Sequence, residues 1–133
     1  MLIFHYLVGN ADAHGKNYAL LYRGEVPDLA PLYDVVCTAA YQRLAKKLAM
    51  AIGGRSVPDT IQLQHWLSLV PATRGAQRLL IKNIKESADR IRSAADSLLM
   101  ELEEAGITHT ILKAIRAVIE TRASHLLRIT EKA

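Results

Sequence analysis

The segment Gly9–Asn17, GNADAHGKN, gathers more chemistry than a turn requires. Within nine residues it holds a carboxylate (Asp12), an imidazole (His14), an ammonium (Lys16) and two amides (Asn10 and Asn17). A generic turn needs one or two such side chains to satisfy nearby backbone donors, and Asp12 could act as a cap of that kind. Acid, base, amide and ammonium in one loop, directly after an apolar run, instead form the kind of loop that carries function on a rigid scaffold.

Spacing narrows the chemistry. Asp12 and Asn17 stand five positions apart, the Asp-x-x-x-x-Asn interval of a protein-kinase catalytic loop. There the aspartate accepts the proton of the attacking hydroxyl, and the asparagine binds magnesium on the phosphates. A carboxylate and an amide carbonyl are the hard oxygen ligands that magnesium prefers. Lys16 could neutralise the transferred phosphoryl group as a point charge. A second carboxylate is then required nearby. Asp34, in Leu29–Val36 (LAPLYDVV), follows an expected hairpin that can fold it back beside Asn17. His5, His14 and Asp12 fit no helix face cleanly, which argues against a zinc site. Cys37 has no accompanying base or resolving thiol and reads as structural.

The elements that must position these residues differ along the chain. Met1–Val8 reads as the end of a buried helix stopped by Gly9-Asn10. Asn17–Arg23 and Val26–Ala30 suggest two short strands around Gly24-Glu25, and Lys47–Ile52 is a further short apolar run ended by Gly53-Gly54. From Asp59 onward the pattern is helical. Ile61–Val70 places Leu63, Trp66, Leu67 and Val70 at helical spacing before Pro71, with Trp66 as a core anchor. A long helix carries a seam through Leu80, Ile84, Ala88, Ile91, Ala95, Leu98 and Leu102, with Gly106 just past its end. A last helix follows Thr108, with Leu112, Ile115, Ile119, Ala123, Leu126 and Ile129 on one face. Two antiparallel helices joined at Gly106 are the simplest arrangement. His65, His109 and His125 are expected at helix surfaces or boundaries.

Composition sets the bounds. The chain has 133 residues, half of them hydrophobic and 23% charged, which is globular rather than disordered composition. One domain is expected over 1–133, with a catalytic-loop and hairpin portion at 1–58 and a helical portion at 59–133. The net charge of +4 is evenly spread: residues 1–58 carry six basic and four acidic side chains, and 59–133 carry eleven and nine. With aromatics at 5%, no stacking platform for single-stranded nucleic acid is expected. Arg74, Arg78, Lys82 and Lys85 form a basic row at helical spacing. A solvated face is the default for it, and docking on an acidic protein surface or DNA phosphates is the alternative. A single cysteine, no apolar stretch long enough to span a bilayer and no signal-peptide pattern make the cytoplasm the expected compartment.

GNADAHGKN, then a hairpin, then LAPLYDVV and KLAMAIGG, resembles the C-terminal part of HipA-type serine/threonine kinases, the toxins of bacterial toxin–antitoxin modules. The match is close over about Leu2–Gly54, weaker through Ile61–Val70, and only helical beyond. The resemblance implies a mainly α-helical kinase C-lobe with a small β-hairpin carrying the catalytic loop and the metal-binding aspartate. Asp12 would be the catalytic aspartate and Lys16 a phosphate contact. Asn17 and Asp34 would hold Mg2+ on ATP, Asp34 standing for the Asp-Phe-Gly aspartate, and His14 would be a structural loop residue. Gly9-Asn10-Ala11 before Asp12, in place of His-Arg, and Tyr33-Asp34-Val35 in place of Asp-Phe-Gly depart from ordinary kinases in the direction of the HipA branch.

In that family an N-terminal lobe grips ATP with a phosphate-covering loop and a strand lysine, and nothing before Leu2 supplies either. The expectation is therefore a C-lobe portion, inactive alone, of a kinase that phosphorylates a cytoplasmic protein and acts with a DNA-binding antitoxin. The competing class is a non-catalytic helical module that binds an antitoxin or a separately encoded N-lobe. Leu2, Ile3, Phe4, Leu7 and Val8 are candidates for an apolar face left open without that lobe, through which the isolated chain could self-associate.

Overall fold

Two long helices, α3 (Arg74–Glu104) and α4 (Thr110–Thr130), dominate the computed structural model, which describes residues 1–131. Before them come α1 (Leu2–Leu7), strands β1 (Leu20–Leu21) and β2 (Asp28–Leu29), and α2 (Leu63–Leu67). Short 3-10 turns lie at Gly15–Asn17, Thr38–Ala40 and Pro58–Thr60. The fold is thus mainly α-helical with one two-stranded antiparallel sheet, as expected. Among the described residues, no helix is long and apolar enough to cross a membrane.

Both ends of α3 follow from local sequence. The Thr73 hydroxyl accepts the Ala76 N–H at 3.3 Å and caps the start. At the other end Gly106 takes φ +74°, the Ile107 N–H reaches the Leu102 carbonyl at 2.8 Å, and the Gly106 N–H reaches Glu103 at 3.0 Å. That pair of bonds is a Schellman stop, which a residue with a Cβ forms only under strain. The His109 ring then caps α4 by accepting the Ile111 N–H at 3.0 Å.

Ion pairs Arg92–Glu120 and Asp96–Arg116 run in opposite sequence directions, so α3 and α4 are antiparallel. Ile84 and Ala88 of α3 are wholly buried against Ala123 and Leu126 of α4. The seam departs from expectation in one turn: Leu98 is 55% exposed, and Leu99 lies on the half-buried side instead. A step of three or of four from Ala95 both satisfy helical spacing, and packing selects the second.

Arg116 also bonds Glu120 at 2.9 Å, and its guanidinium holds the Asp96 and Glu120 carboxyls below their usual range. Carboxylates depressed by folding stabilise the native state above their unfolded pKa, and this contribution is lost as pH falls through the folded value. Arg116→Leu should therefore lower the melting temperature near neutral pH and lower it by less in acid, as the carboxyls take up protons. Equal losses at neutral and acid pH would mean that the side chain acts through packing alone.

α1 and α2 close the core. Trp66 is 1% exposed and meets the Tyr6 ring edge-on, with centroids 5.4 Å apart. Arg122 of α4 lies over the Tyr6 ring, 5.1 Å from its centroid, and bonds Asp59 at 3.2 Å. α2 is shorter than the expected Ile61–Val70. Ile61 and Gln62 precede it, and the Leu69 and Val70 amides close three-residue turns on Trp66 and Leu67 before Pro71. Leu7, expected on an open apolar face, is fully buried; Leu2 and Ile3 pack against the core, and Phe4 is 37% exposed.

The sheet pairs Leu20 with Leu29 and Leu21 with Asp28, and six residues rather than two separate the strands. Exposed Leu20 and Leu29 find no layer to pack on, and Pro27 cannot extend the ladder as a donor. The Lys47–Ile52 run forms no strand. Ile52 makes an isolated bridge to Arg55, and Leu48 and Ala49 turn their amides to Ser56 and Ala11. In the basic row, Lys82 pairs with Glu86 at 3.7 Å on an exposed helix face.

Candidate active site

Gly9 begins the loop by letting the backbone lie against α4. Its φ is +72°, and a Cβ there would sit 2.5 Å from Val118 Cγ1 and 3.0 Å from Ala39 Cβ. Only glycine meets both demands. Two further segments then hold the loop. The Thr38 hydroxyl donates to the Gly9 carbonyl at 3.2 Å and accepts the Ala11 N–H at 2.8 Å. The Ala39 amide joins it on Gly9 at 3.0 Å, and the Ala49 amide bonds Ala11 at 2.8 Å. Ala11 and Ala13 are buried on either side of Asp12, whose side chain is exposed. Asp12 stands on an open groove of about 420 Å³ that Thr38, Leu44, Lys47 and Ala49 also line.

Asn17 and Asp34 meet. The Asn17 amide donates through Nδ2 to Asp34 Oδ2 at 2.9 Å, while its Oδ1 accepts the His14 N–H at 3.0 Å. A backbone N–H can only meet the oxygen end, so this contact fixes which way the amide faces. The hairpin makes the meeting possible: β1 leaves the loop, β2 returns, and Ala30 bonds Ala19 at 2.8 Å just beyond the strands. Asp34 itself has φ +54°, the sole positive φ of a non-glycine residue among the described residues. The Tyr33 hydroxyl ties this segment to the loop by donating to the Lys16 carbonyl at 2.5 Å. The Lys16 side chain is exposed, and nothing in the structure draws it towards Asp34.

Residue by residue, the expected site divides. Asn17 and Asp34 are in contact, Asp12 lies in the same clamped loop, and Lys16 contributes its backbone to the assembly while its ammonium faces solvent. His14 supports the Asn17 turn through its backbone. Cys37 is half-buried, and burial pushes its thiol pKa up, which keeps it protonated and unreactive near neutral pH. Thr38 carries no sequence signal, because a threonine among turn residues is ordinary, and Tyr33 is visible as part of its motif while its bond to Lys16 is not. Asn10 was visible as part of the motif, but its three hydrogen bonds were not.

The donors suit a magnesium-bound phosphate. Asp34 Oδ1 and the second lone pair of Asn17 Oδ1 are hard oxygens not used in the bonds described above. Among the described residues, no three His, Cys, Asp or Glu side chains converge to cage a metal. A cation at Asp34 would lean on few protein ligands, with water and phosphate oxygens completing its shell, as magnesium does beside nucleotides.

The family model for the HipA-like C-terminal domain matches residues 1–124, and the chain belongs to that family. Among curated relatives, Y4mE of Sinorhizobium fredii, a protein named as a kinase, is 37% identical over 102 residues, covering 77% of this chain and 24% of that protein. The serine/threonine-protein kinase toxin HipA of Shewanella oneidensis is 33% identical over 100 residues, covering 75% of this chain and 23% of that protein. The chain thus spans about a quarter of the length of the curated relatives it matches. In structure it superposes on a chain of the Shewanella oneidensis toxin–antitoxin complex of HipA, HipB and operator DNA. The TM-score is 0.82 at 27% identity, covering 98% of this chain and 31% of that one.

Proposed function

We propose that the chain supplies the chemical residues of an ATP- and Mg2+-dependent serine/threonine protein kinase of the HipA type. The observation that carries this reading is the 2.9 Å contact of Asp34 with Asn17, which stands five residues after Asp12 in a loop held by Thr38, Ala39 and Ala49. Asp12 orients the substrate hydroxyl and accepts its proton, and its exposure on the open groove leaves room for a protein segment. Asn17 and Asp34 would hold Mg2+, which when bound would supply charge neutralisation for the ATP phosphates. Lys16, on the exposed side of the loop, approaches the phosphates as a mobile point charge.

Phosphoryl transfer depends mainly on positioning and charge stabilisation. These 133 residues alone therefore transfer no phosphoryl group, and activity needs an ATP-gripping N-lobe. By likeness to the Shewanella complex, the whole kinase assembles with an antitoxin and operator DNA; a cytoplasmic protein substrate follows from the family resemblance alone. A labelled-ATP assay on the purified chain checks the dependence on the N-lobe. Background incorporation is expected, and robust incorporation lost in Asp12→Asn would contradict it.

A second reading is supported by the exposed apolar side chains beyond the loop. Tyr22 and Val26 are 76% and 77% exposed, and Leu32, Val35, Val36 and Leu44 are also open. A surface of this kind is usually covered by a partner, so the chain could serve as a docking module for an antitoxin or a separate N-lobe. That reading predicts that Asp12 and Asp34 substitutions leave the function intact, whereas the kinase reading predicts its loss.

A further inference from the structure

Asn10 is 2% exposed and spends its whole amide on three partners. Its Oδ1 accepts the Asp12 N–H at 3.1 Å, and its Nδ2 donates to the Asp34 carbonyl at 3.2 Å. These two backbone groups allow one orientation of the amide, oxygen towards Asp12 and nitrogen towards Asp34. The remaining Nδ2 proton points to His5 Nδ1 at 3.2 Å, so that ring nitrogen accepts and the ring proton sits on Nε2. His5 is itself 1% exposed, and its backbone carbonyl accepts the Asn10 N–H at 2.9 Å. A buried imidazole on α1 therefore anchors a buried amide that touches both loops of the site.

The backbone at Asp34 shows why that anchor matters. A non-glycine residue in the left-handed region is disfavoured and persists where its surroundings over-determine it. Asp34 is held at its carbonyl by Asn10 and at its carboxylate by Asn17. Removing the first hold frees the peptide to relax, and the carboxylate would leave Asn17 with it.

We propose that Asn10, anchored on His5, is a positioning residue of the phosphoryl-transfer site, joining the Asp12 loop and the Asp34 segment into one rigid unit. This rests on the kinase reading above, in which Asp34 holds the divalent cation. A cation site whose supporting hydrogen bonds are removed loses affinity by about tenfold or more.

The test is paramagnetic broadening of backbone amide signals of the 133-residue chain by Mn2+, with four variants melted in parallel. The unaltered chain should broaden first at Asn17, Asp34 and Val35. Asn10→Ala and Asn10→Asp, the latter keeping size and the Asp12 contact but lacking both donors, should each need about ten times more Mn2+. Val118→Ala, which thins the packing behind Gly9 without touching these bonds, should broaden like the unaltered chain despite a lower melting temperature. Asp34→Asn should abolish the focused broadening.

If Asp34→Asn abolishes it while a folded Asn10 variant behaves like the unaltered chain, the positioning role is overturned and the cation site stands. Absence of focused broadening in the unaltered chain, or its persistence in Asp34→Asn, overturns the cation site and the proposal with it. Failure of both Asn10 variants to fold also counts against the proposal, since the amide would then serve the fold as a whole.

Discussion

On the kinase reading proposed above, Asp12→Asn, assayed with an ATP-gripping N-lobe present, is expected to lower kcat by about 10²–10⁴-fold, the usual worth of a positioned general base. The KM for ATP should change little, because Asp12 lies on the groove and the nucleotide phosphates are assigned to Asn17 and Asp34. The fold should be indifferent. The Asp12 side chain is exposed, and the bond that fixes its backbone comes from Asn10 rather than from its own carboxylate. Initial rates and melting curves on the same preparations check this, and a fall in melting temperature matching the loss of rate would assign Asp12 to the turn instead. Asp34→Asn should keep the fold as well, since asparagine tolerates φ near +54° better than most residues and can still accept from Asn17 Nδ2. Its rate loss should instead appear as a raised Mg2+ requirement.

Gly9→Ala is expected to have the largest effect on stability. The left-handed backbone at φ +72° costs a residue with a Cβ roughly 1–2 kcal/mol. The new methyl would also lie 2.5 Å from Val118 Cγ1, with Ala39 Cβ 3.0 Å away, and overpacking of this sort costs about 1–3 kcal/mol. Together they remove about 2–5 kcal/mol, a large part of the 5–15 kcal/mol that ordinary domains possess. Urea unfolding measures the loss. Adding Val118→Ala to Gly9→Ala should return part of it by removing the nearer clash, a coupling that independent sites would not show. A loss under about 0.5 kcal/mol for Gly9→Ala alone, the range of ordinary surface changes, would contradict the close approach of loop and helix.

Both expectations concern the same loop, and the sequence revealed them unequally. Asp12, Asn17 and Asp34 were legible because their side-chain types and intervals carry a chemical meaning that survives without coordinates. The long helices were legible too, because burial along α3 and α4 repeats at helical spacing and Gly106 marks the stop between them. Leu98 against Leu99 was not, since both lie within one step of the seam and only the facing helix decides. Equally hidden were the clamps. Thr38 on Gly9 and Ala11, Ala49 on Ala11, and Asn10 on Asp34 join residues 24–38 positions apart, and no periodicity links such pairs. The hairpin lies where the sequence places it but is shorter, because the apolar side chains in Asn17–Arg23 suggest a packed strand where the structure leaves Leu20 and Tyr22 exposed. The open face at the start of the chain was also overdrawn: Leu7 turns inward with Tyr6 to meet the core.

Transfer of labelled γ-phosphate from ATP by the full-length protein that carries these residues tests the central claim most directly. Incorporation onto serine or threonine that requires Mg2+, and that falls sharply in both Asp12→Asn and Asp34→Asn at the Mg2+ concentration that supports the unaltered protein, is the predicted result. Undiminished incorporation in both variants, or none by the folded full-length protein with ATP and Mg2+ present, would contradict the assignment of this loop as the chemical half of a kinase site.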